Sequence, residues 1–490
     1  MKLRFTFILM CLSVLVHAQT LTQTLRGTVT DKTTQKALQG ANLILQPGEI
    51  KTSTDEKGTF IFENTPAGRY SIRVSFTGYN TAIINEIIVA TGKQTVINIE
   101  LLPSVTMLSE ASVSNANQDI EAVQSRTFTV EQSQRYAAVF NDAGRMAALY
   151  PGVALTDDGN NHISVHGNSP STILWRLEGI DILNPNHLAN GGTFSDRASP
   201  GGGGVLMLSS QMMDNSKFYT NPFDASYSNS SSGIFDMKIR KGNNQKREYT
   251  AQAGLIGLDF SGEGYFKKNK PASYLFNYRY STVGLLEAMG VQFGDEAISF
   301  QDLSFNFSFP FKDESELTVF GIAGTNENIF KAKTDTAEWE VVKDSKDITY
   351  HSMLGILGLT YFKPLSANVV WRNSAAAQSL FIDREESNYS DQLTKLYTLD
   401  EKGTESRYSL HSYFNIALNA ANLLTTGIQV NYIYNQYNDS YLNDTTGKEM
   451  SDLKTSVDGL IPSLYAEWKF IPGNKFQLTA GFNSNYFTYN

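Results

Sequence analysis

The spacing of the connections between apolar-alternating segments constrains the C-terminal half of this chain more than any other feature. From Asp302 onward, short connections alternate with long, polar ones. The short connections are residues 311–315, 363–367, 419–423 and 471–475, and the long ones are residues 324–350, 383–407 and 435–460. Transmembrane β-barrels have this pattern, because their turns are tight on the periplasmic side and their loops are long outside. The pattern therefore predicts an antiparallel transmembrane β-barrel.

The segments between these connections alternate in polarity with a period of two residues. The clearest example sets Leu303, Phe305, Phe307 and Phe309 against Asp302, Ser304, Asn306 and Ser308. A period of two puts the two sets on opposite faces of a strand. Because no helical segment is available to cover the apolar face, we expect lipid on that face and a water-filled lumen on the other.

Composition agrees with this fold class and excludes several others. The 490 residues carry a net charge of −9, so no basic surface for nucleic acid is expected. After residue 18 no run of 18 apolar residues occurs, which excludes a helical membrane protein. Aromatic residues make up 12% of the chain, as expected for a barrel with aromatic girdles.

The first 18 residues read as a secretory signal peptide. Lys2 and Arg4 precede an apolar stretch, and the segment ends with small residues before Gln19. Cys11, the single cysteine, lies inside this segment and follows Met10 rather than a small residue, which argues against a lipoprotein anchor. The mature chain is therefore expected to contain no cysteine and no disulfide.

Residues 24–102 predict a small β-sandwich, because short β-like runs recur between turn signals. Their punctuation resembles that of the carboxypeptidase regulatory-like domain, a transthyretin-like sandwich without catalytic residues of its own. The resemblance lies in Gly40-Ala41-Asn42, residues 55–60, Gly68-Arg69-Tyr70 and Gly78-Tyr79.

Two further segments precede the barrel strands. Residues 103–119 are small and polar and predict a linker. Residues 120–240 combine a helical segment at 142–150, which stops at Pro151, with several short β runs, and predict a compact α/β unit. The barrel strands are expected from residue 248 to residue 490.

The α/β unit resembles the plug domain of TonB-dependent outer-membrane receptors, in the lineage that carries the regulatory-like domain in front. The residues that carry the resemblance are Pro151, Gly152, Val153, His166, Gly167, Glu178, Gly179, Asp181, Asn184, Pro185 and Gly233. The family usually has Arg where His166 stands and commonly Asp where Glu178 stands. Both differences are polar substitutions that leave the fold unchanged, whereas any role of that Arg in contacts between plug and barrel is put in doubt.

The resemblance also assigns a role to the linker. In the family, a short segment before the plug, the TonB box, adds as a strand to the periplasmic C-terminal domain of TonB. Here the segment able to extend is Leu108, Ser109, Glu110, Ala111, Ser112, Val113 and Ser114. Strand addition needs an extended and unpaired segment. The alternative is that this stretch is a plain linker.

The resemblance implies TonB-driven uptake of a scarce extracellular ligand across the outer membrane of a Gram-negative bacterium. The ligand could be a siderophore, a cobalamin, a glycan or a peptide. Expected partners are TonB, outer-membrane lipid, the small or oligomeric ligand and a surface lipoprotein, with no nucleic acid. The N-terminal sandwich is expected in the periplasm. The alternative is a non-transporting surface or adhesion protein that retains the plug and barrel.

The size of the barrel bears on how much of it this chain supplies. About eleven or twelve strands between residues 248 and 490 would close with a radius of about 11 Å, whereas a plug of this length has a radius of about 17–18 Å. About 22 strands would enclose it. We therefore expect these residues to be the first half of a barrel, from a fragment or a truncated gene, and not to close alone.

No constellation of residues predicts catalysis, so the chain is expected not to be an enzyme and to have no catalytic, cofactor or metal site. His162 and His166, four residues apart on an expected strand, would share a face, but no carboxylate at ligand spacing accompanies them. Residues 201–204 are glycines and predict a loop rather than a phosphate site. Asp157, Asp158, Asn160 and Asn161 lack the full calcium-loop pattern and predict a polar turn.

Overall fold

The structure, a computed structural model, describes residues 21–32, 34–103, 125–128, 142–155, 161–187, 202–214, 216–221, 224–227, 230–254, 257–281, 297–419, 421–473 and 476–489. The predicted signal peptide and the segment 108–114 lie outside these residues. The chain divides into two compact units, Met1–Met107 and Leu108–Asn490.

The N-terminal unit is a sandwich of two small sheets. Its strands are β1 (Thr22–Asp31), β2 (Asn42–Gln46), β3 (Ile50–Ser53), β4 (Thr59–Pro66), β5 (Gly68–Ser75), β6 (Ala82–Val89) and β7 (Thr95–Leu101). One sheet has the order β4-β1-β7 and the other β3-β2-β5-β6. Alternate residues such as Leu43, Leu45, Ile72 and Val74 are fully buried between the sheets, which confirms the predicted sandwich.

The plug is a set of short strands around a five-stranded mixed sheet. Its strands are β8 (Ser125–Phe128), β9 (Val153–Leu155), β10 (Ile163–Val165), β11 (Leu174–Leu177), β12 (Ile180–Ile182), β13 (Asn186–His187), β14 (Val205–Leu206), β15 (Ser216–Tyr219) and β16 (Ile234–Met237). The main sheet has the order β12-β11-β16-β15-β8.

The helix predicted at 142–150 is present in the plug. It consists of an α-helical turn, α1 (Ala143–Met146), followed by a 3-10 turn over Ala147–Leu149. The side chain of Asp142 caps it by accepting a hydrogen bond of 2.7 Å from the N–H of Gly144.

The rest of the chain forms one antiparallel sheet of twelve strands, called the large sheet below. Its strands are β17 (Glu248–Ala253), β18 (Gly257–Tyr265), β19 (Ser273–Ser281), β20 (Ala297–Pro310), β21 (Glu316–Phe330), β22 (Lys346–Pro364), β23 (Val369–Tyr389), β24 (Lys395–Asn419), β25 (Asn422–Asn443), β26 (Lys448–Gly473), β27 (Phe476–Asn485) and β28 (Thr488–Tyr489). Strands β17 to β27 pair in sequence order, and β28 pairs with β26. Among the described strands, the two ends of the sheet do not pair with each other, so it stays open, as expected from its size.

The two faces of the large sheet differ as the alternation predicts. In β20, Asp302 and Ser304 are buried and Asp302 contacts His187 of the plug, whereas Leu303 on the opposite face is 42% exposed. The buried face of the sheet and the plug share one apolar core, which contains Leu177 and Met207 of the plug and Phe320 and Leu354 of the sheet. The fold class is therefore confirmed: a mainly β chain with an N-terminal sandwich, an α/β plug and an antiparallel sheet of barrel type.

Two of the three long connections, 383–407 and 435–460, are mostly strand, which corrects the prediction of long loops there, whereas residues 331–345 of the third lie between β21 and β22. Strands β23 and β24 remain paired as far as Asn388 and Tyr397, and β25 and β26 pair up to Asn443 and Lys448. Strands β22 to β26 have 19 to 26 residues, whereas crossing a membrane takes about 9–11. A strand that meets water on both faces needs no apolar face, so its polarity does not have to alternate where the backbone stays paired.

Candidate functional site: the plug and its contacts with the large sheet

Two of the plug signature motifs are tight turns with left-handed backbone. Glu178 and Gly179 have φ of 51° and 81° and join β11 to β12, and His166 and Gly167 have φ of 52° and 79°. Two successive residues with positive φ are the geometry of a type I′ turn, which matches the twist of a two-residue hairpin. The first of these turns forms the tip of the β11–β12 hairpin, and the second follows β10.

The tip of the β11–β12 hairpin is held by side chains of the large sheet. The Ser374 hydroxyl donates to the carbonyl of Glu178 (3.0 Å), and Nδ1 of His411 donates to the carbonyl of Gly179 (2.9 Å). Nε2 of His411 in turn accepts from the hydroxyl of Tyr465 (2.9 Å). The plug atoms in these bonds are backbone carbonyl oxygens, so the bonds depend on the shape of the turn rather than on its side chains.

A glutamine of β23 continues this contact along the hairpin. Nε2 of Gln378 donates to the carbonyl of Asp181 (2.9 Å), and the N–H of Leu183 donates to Oε1 of Gln378 (2.8 Å). One side chain thus satisfies two buried backbone groups, as a neighbouring strand would. Nε2 of Gln429 donates to the carboxylate of Asp181 (2.9 Å).

Asp181 also lies beside a buried cation. Nε of Arg176 lies 3.4 Å from Oδ1 of Asp181, and its guanidinium lies 4.8 Å from the ring centre of Tyr227. The hydroxyl of Tyr227 donates to Asp236 (2.8 Å). The signature carboxylate therefore neutralises a plug arginine and accepts a bond from the large sheet at the same time.

Glu178 uses its side chain within the plug. Its Oε1 accepts from the N–H of Ile239 (2.7 Å), and its own N–H donates to the carbonyl of Met237 (3.0 Å). Burial raises the pKa of the Glu178 carboxyl, and the bond from Ile239 acts in the opposite direction. Glu178, which is longer than the Asp that is common in the resembled family, thus makes a hydrogen bond to the backbone of Ile239.

A second contact joins β13 of the plug to β19 and β20. Oδ2 of Asp302 lies 2.8 Å from Nε2 of His187 and 2.7 Å from Nη2 of Arg279. The same Nη2 donates to the carbonyl of Leu206 (2.6 Å). Burial lowers the pKa of His187, so the neutral imidazole donates its Nε2–H to the carboxylate. A fully buried carboxylate thus links one plug side chain and one plug carbonyl to the sheet.

Two further polar contacts lie on either side of these. Arg240 makes a bidentate pair with Glu263, with both N–O distances 2.8 Å. At the other end of the large sheet, Nζ of Lys469 lies 3.0 Å from Asp224, and the N–H of Ala225 donates to Glu467 (2.7 Å). A bidentate pair fixes the orientation of the Arg240 guanidinium and also neutralises its charge.

The remaining signature residues shape the plug itself. Pro151 lies between the 3-10 turn and β9, which begins at Val153. The backbone of Gly152 lies against His166: a Cβ at Gly152 would be 2.7 Å from Cε1 of the imidazole. A Cβ at Gly233 would be 2.8 Å from Cζ of Phe218 and 2.9 Å from Val165, so only glycine fits there without displacement.

Asn184 and Pro185 organise the entry to β13. The Asn184 side chain accepts from the N–H of Asn186 (3.2 Å) and donates to the carbonyl of Gly202 (2.9 Å). The carbonyl of Pro185 accepts from the N–H of Met207 (2.8 Å). Together they hold the two strands β13 and β14 side by side.

One side prediction is wrong. His162 and His166 do not share a strand face, because β10 ends at Val165 and His166 adopts left-handed backbone in the following turn. Among the described residues no group of three His, Cys, Asp or Glu is placed to hold a metal. Asp157, Asp158, Asn160 and Gly201 lie outside the described residues.

The sequence did not single out the side chains of the large sheet that grip the plug, namely Asp302, Arg279, Gln378, His411 and Gln429. In the sequence each of them is a large polar residue at an inward position of a strand. Many residues that contact only water share this pattern. Within the described part of the chain, no helix reaches the length and apolar character needed to cross a bilayer.

Comparison with known proteins agrees with the two-part architecture. Residues 25–113 match the family of the CarboxypepD_reg-like domain. A comparison with curated proteins returns no match.

Solved structures match about three quarters of the chain. The siderophore receptor PirA from Acinetobacter baumannii is 14% identical, with a TM-score of 0.51 over 75% of this chain and 57% of that one. The ferric yersiniabactin uptake receptor FyuA from Yersinia pestis is 12% identical, with a TM-score of 0.52 over 74% and 61%. The copper transporter OprC is 13% identical, with a TM-score of 0.53 over 74% and 55%.

This chain therefore spans between 55% and 61% of the length of the receptors it matches. At these identities the likeness is one of fold. The chain carries a CarboxypepD_reg-like domain, followed by a plug and a large sheet whose fold is similar to that of these two receptors and of the copper transporter.

Proposed function

We propose that this protein acts in an outer-membrane receptor that takes up a scarce extracellular ligand with energy delivered by TonB. The large sheet would form part of the barrel wall in the outer membrane of a Gram-negative bacterium. The regulatory-like domain would lie in the periplasm. The ligand would be of the siderophore, cobalamin, glycan or peptide type.

One observation carries the proposal: a folded plug lies on the polar face of a sheet whose other face is apolar and exposed. Asp302 is buried between His187 and Arg279, whereas Leu303, the next residue, is 42% exposed. A water-soluble sheet would cover its apolar face with protein, and a pore without a gate would not carry a plug. This arrangement supports a gated passage through a lipid bilayer.

The coupling to TonB is proposed for Leu108, Ser109, Glu110, Ala111, Ser112, Val113 and Ser114. These residues lie in the proposed linker, 103–119, before the proposed plug domain, 120–240. The first described plug strand after them, β8, is an edge strand of the plug sheet and pairs with β15 alone. A pull on the linker would therefore reach the plug at an edge, where one ladder of hydrogen bonds opposes it.

The ligand is proposed to bind at the outer mouth, between the plug and the extended hairpins of β22 to β26. The turn at residues 444–447 joins two of these strands. Because paired strands hold their shape without surrounding protein, such hairpins could also present a docking surface for a lipoprotein partner.

The TonB step is tested by two single substitutions in the linker of the full-length protein. Ala111→Pro removes one backbone N–H from the proposed box, and Ala116→Pro makes the same change five residues later. Strand addition depends on backbone pairing, so Ala111→Pro should abolish ligand-dependent growth at normal surface expression, whereas Ala116→Pro should not. If growth survives both Ala111→Pro and deletion of 108–114, energised transport through this protein is wrong, as the alternative of a non-transporting surface protein predicts.

A further inference from the structure

The outer face of the four-stranded sheet in the N-terminal unit carries an unusual row of side chains. In the backbone register, Lys51 of β3 faces Ile44 of β2, Ile44 faces Arg73 of β5, and Arg73 faces Ile83 of β6. Directly paired residues of antiparallel strands point to the same side of the sheet. Cation, isoleucine, cation and isoleucine therefore alternate across all four strands. We call these four residues the basic row.

The basic row points away from the core of the sandwich. Its neighbours along β2 and β5, Leu43, Leu45, Ile72 and Val74, are completely buried, so the residues between them face outward. Ile83 is 49% exposed. The adjacent outward positions are polar: Asn42, Ser53, Ser71 and Ser75 carry short side chains, and Gln46 a longer one. Lys51 and Ile83 are exposed, and Ile44 and Arg73 are partly exposed.

The two cations of the row, Lys51 and Arg73, make no salt bridge in the described part of the N-terminal unit. The nearby pair Arg69 and Glu86 is joined by a salt bridge of 2.9 Å. Among the described residues, no Asp or Glu lies within salt-bridge distance of Lys51 or Arg73. The row is thus both positively charged and partly apolar.

The edge of this sheet is poorly suited to pairing with another strand, which leaves the face as the available surface. The pairing of β5 with β6 is interrupted between Tyr70 and Ile72, and Glu86 of β6 has φ of 60°. A bulge of this kind twists an edge strand away from partners. The opposite edge strand, β3, has only 4 residues.

We propose that the basic row is a docking site for an acidic amphipathic helix of another protein. Lys51 and Arg73 are separated by two strand spacings, about 10 Å. On a helix, residues seven apart lie about 10.5 Å apart on one face, with positions three and four further along between them. Two acidic residues seven apart, flanking apolar residues, therefore match the two cations and the isoleucine between them. This surface would serve the same role whether or not the chain transports a ligand.

The proposal is tested with the full chain in detergent micelles and a synthetic helical peptide. The peptide carries Glu at positions seven apart and Leu at the third and fourth positions between them, and an analogue carries Gln in place of both Glu. Binding is measured by fluorescence anisotropy. The Glu peptide should bind the wild-type chain about two- to thirtyfold more tightly than the Gln analogue, since two ion pairs are lost.

Three variants distinguish this site from general electrostatic attraction. The double variant Lys51→Glu with Arg73→Glu should weaken binding of the Glu peptide by about tenfold or more, whereas Lys57→Glu, in the turn before β4, should not. Ile83→Ser keeps the charge and should weaken binding by severalfold. Equal binding to the wild-type chain and the double variant would overturn the proposal. Charge-dependent binding to phosphatidylglycerol vesicles without binding of the peptide would also overturn it, in favour of a lipid surface.

Discussion

Single residues of the plug are constrained by backbone geometry as much as by chemistry. Gly152 and Gly167 both have φ of 79°, so a side chain at either position would be strained to the same degree. They differ in their surroundings, because a Cβ at Gly152 would meet His166 at 2.7 Å, whereas nothing lies within 4 Å of a Cβ at Gly167. The pair therefore separates strain from crowding.

We expect Gly152→Ala to destabilise the plug more than Gly167→Ala. Both substitutions should cost about 1–2 kcal/mol from left-handed backbone. Gly152→Ala should cost about 1 kcal/mol more, because the imidazole of His166 must move. The measurement is the urea concentration at which the plug becomes susceptible to protease. Equal urea midpoints for the two variants would show that the His166 side chain moves aside at no measurable cost in stability.

The buried carboxylate of Asp302 is expected to be the most sensitive residue of the plug–sheet contact. Asp302→Ala leaves the buried cation of Arg279 without its partner, which typically costs about 3–5 kcal/mol. The control is Asp313→Ala in the exposed turn after β20, whose salt bridge to Lys363 is long, at 3.8 Å. In the same protease assay Asp302→Ala should lower the midpoint and Asp313→Ala should leave it unchanged. An unchanged Asp302→Ala midpoint would mean that water replaces the carboxylate.

In the proposed orientation, the strands that form the long hairpins extend well beyond the bilayer at one end and stop at short turns at the other. A tag inserted between Thr445 and Thr446 should therefore be labelled by antibody on intact cells. A tag inserted between Ser366 and Ala367, in the short turn before β23, should be labelled only after the outer membrane is permeabilised. Labelling of the second tag on intact cells would reverse the proposed orientation.

The whole molecule consists of two units, each with a core of its own. Among the described residues, the N-terminal core contains Leu25, Phe60 and Ile99 and includes none beyond Leu101. We expect limited proteolysis to cut in the proposed linker, 103–119, and to release a resistant N-terminal fragment, because each core is buried within its own unit. Mass spectrometry of the fragments checks this. Simultaneous digestion of both units would show that they depend on each other.

Local rules account for much of this architecture. The sandwich, the helix after Asp142, the period-two strands and their inward and outward faces all follow from side-chain alternation and turn residues, which act over a few neighbouring positions. The plug signature does not by itself predict its turns: His166, expected on a strand, lies in the left-handed turn after β10. The outer parts of the hairpins were predicted to be loops because a strand with water on both faces needs no alternation of apolar and polar residues.

The polar contacts between the plug and the large sheet join residues that are far apart in the chain. His187 meets Asp302, and Asp181 meets Gln378 and Gln429. Nothing in the neighbourhood of any of these residues distinguishes it from a polar residue that faces water. Secondary structure and polarity were legible from the chain because they depend on near neighbours, whereas the partners of each buried charge became visible only when the folded backbone brought distant segments within hydrogen-bond distance.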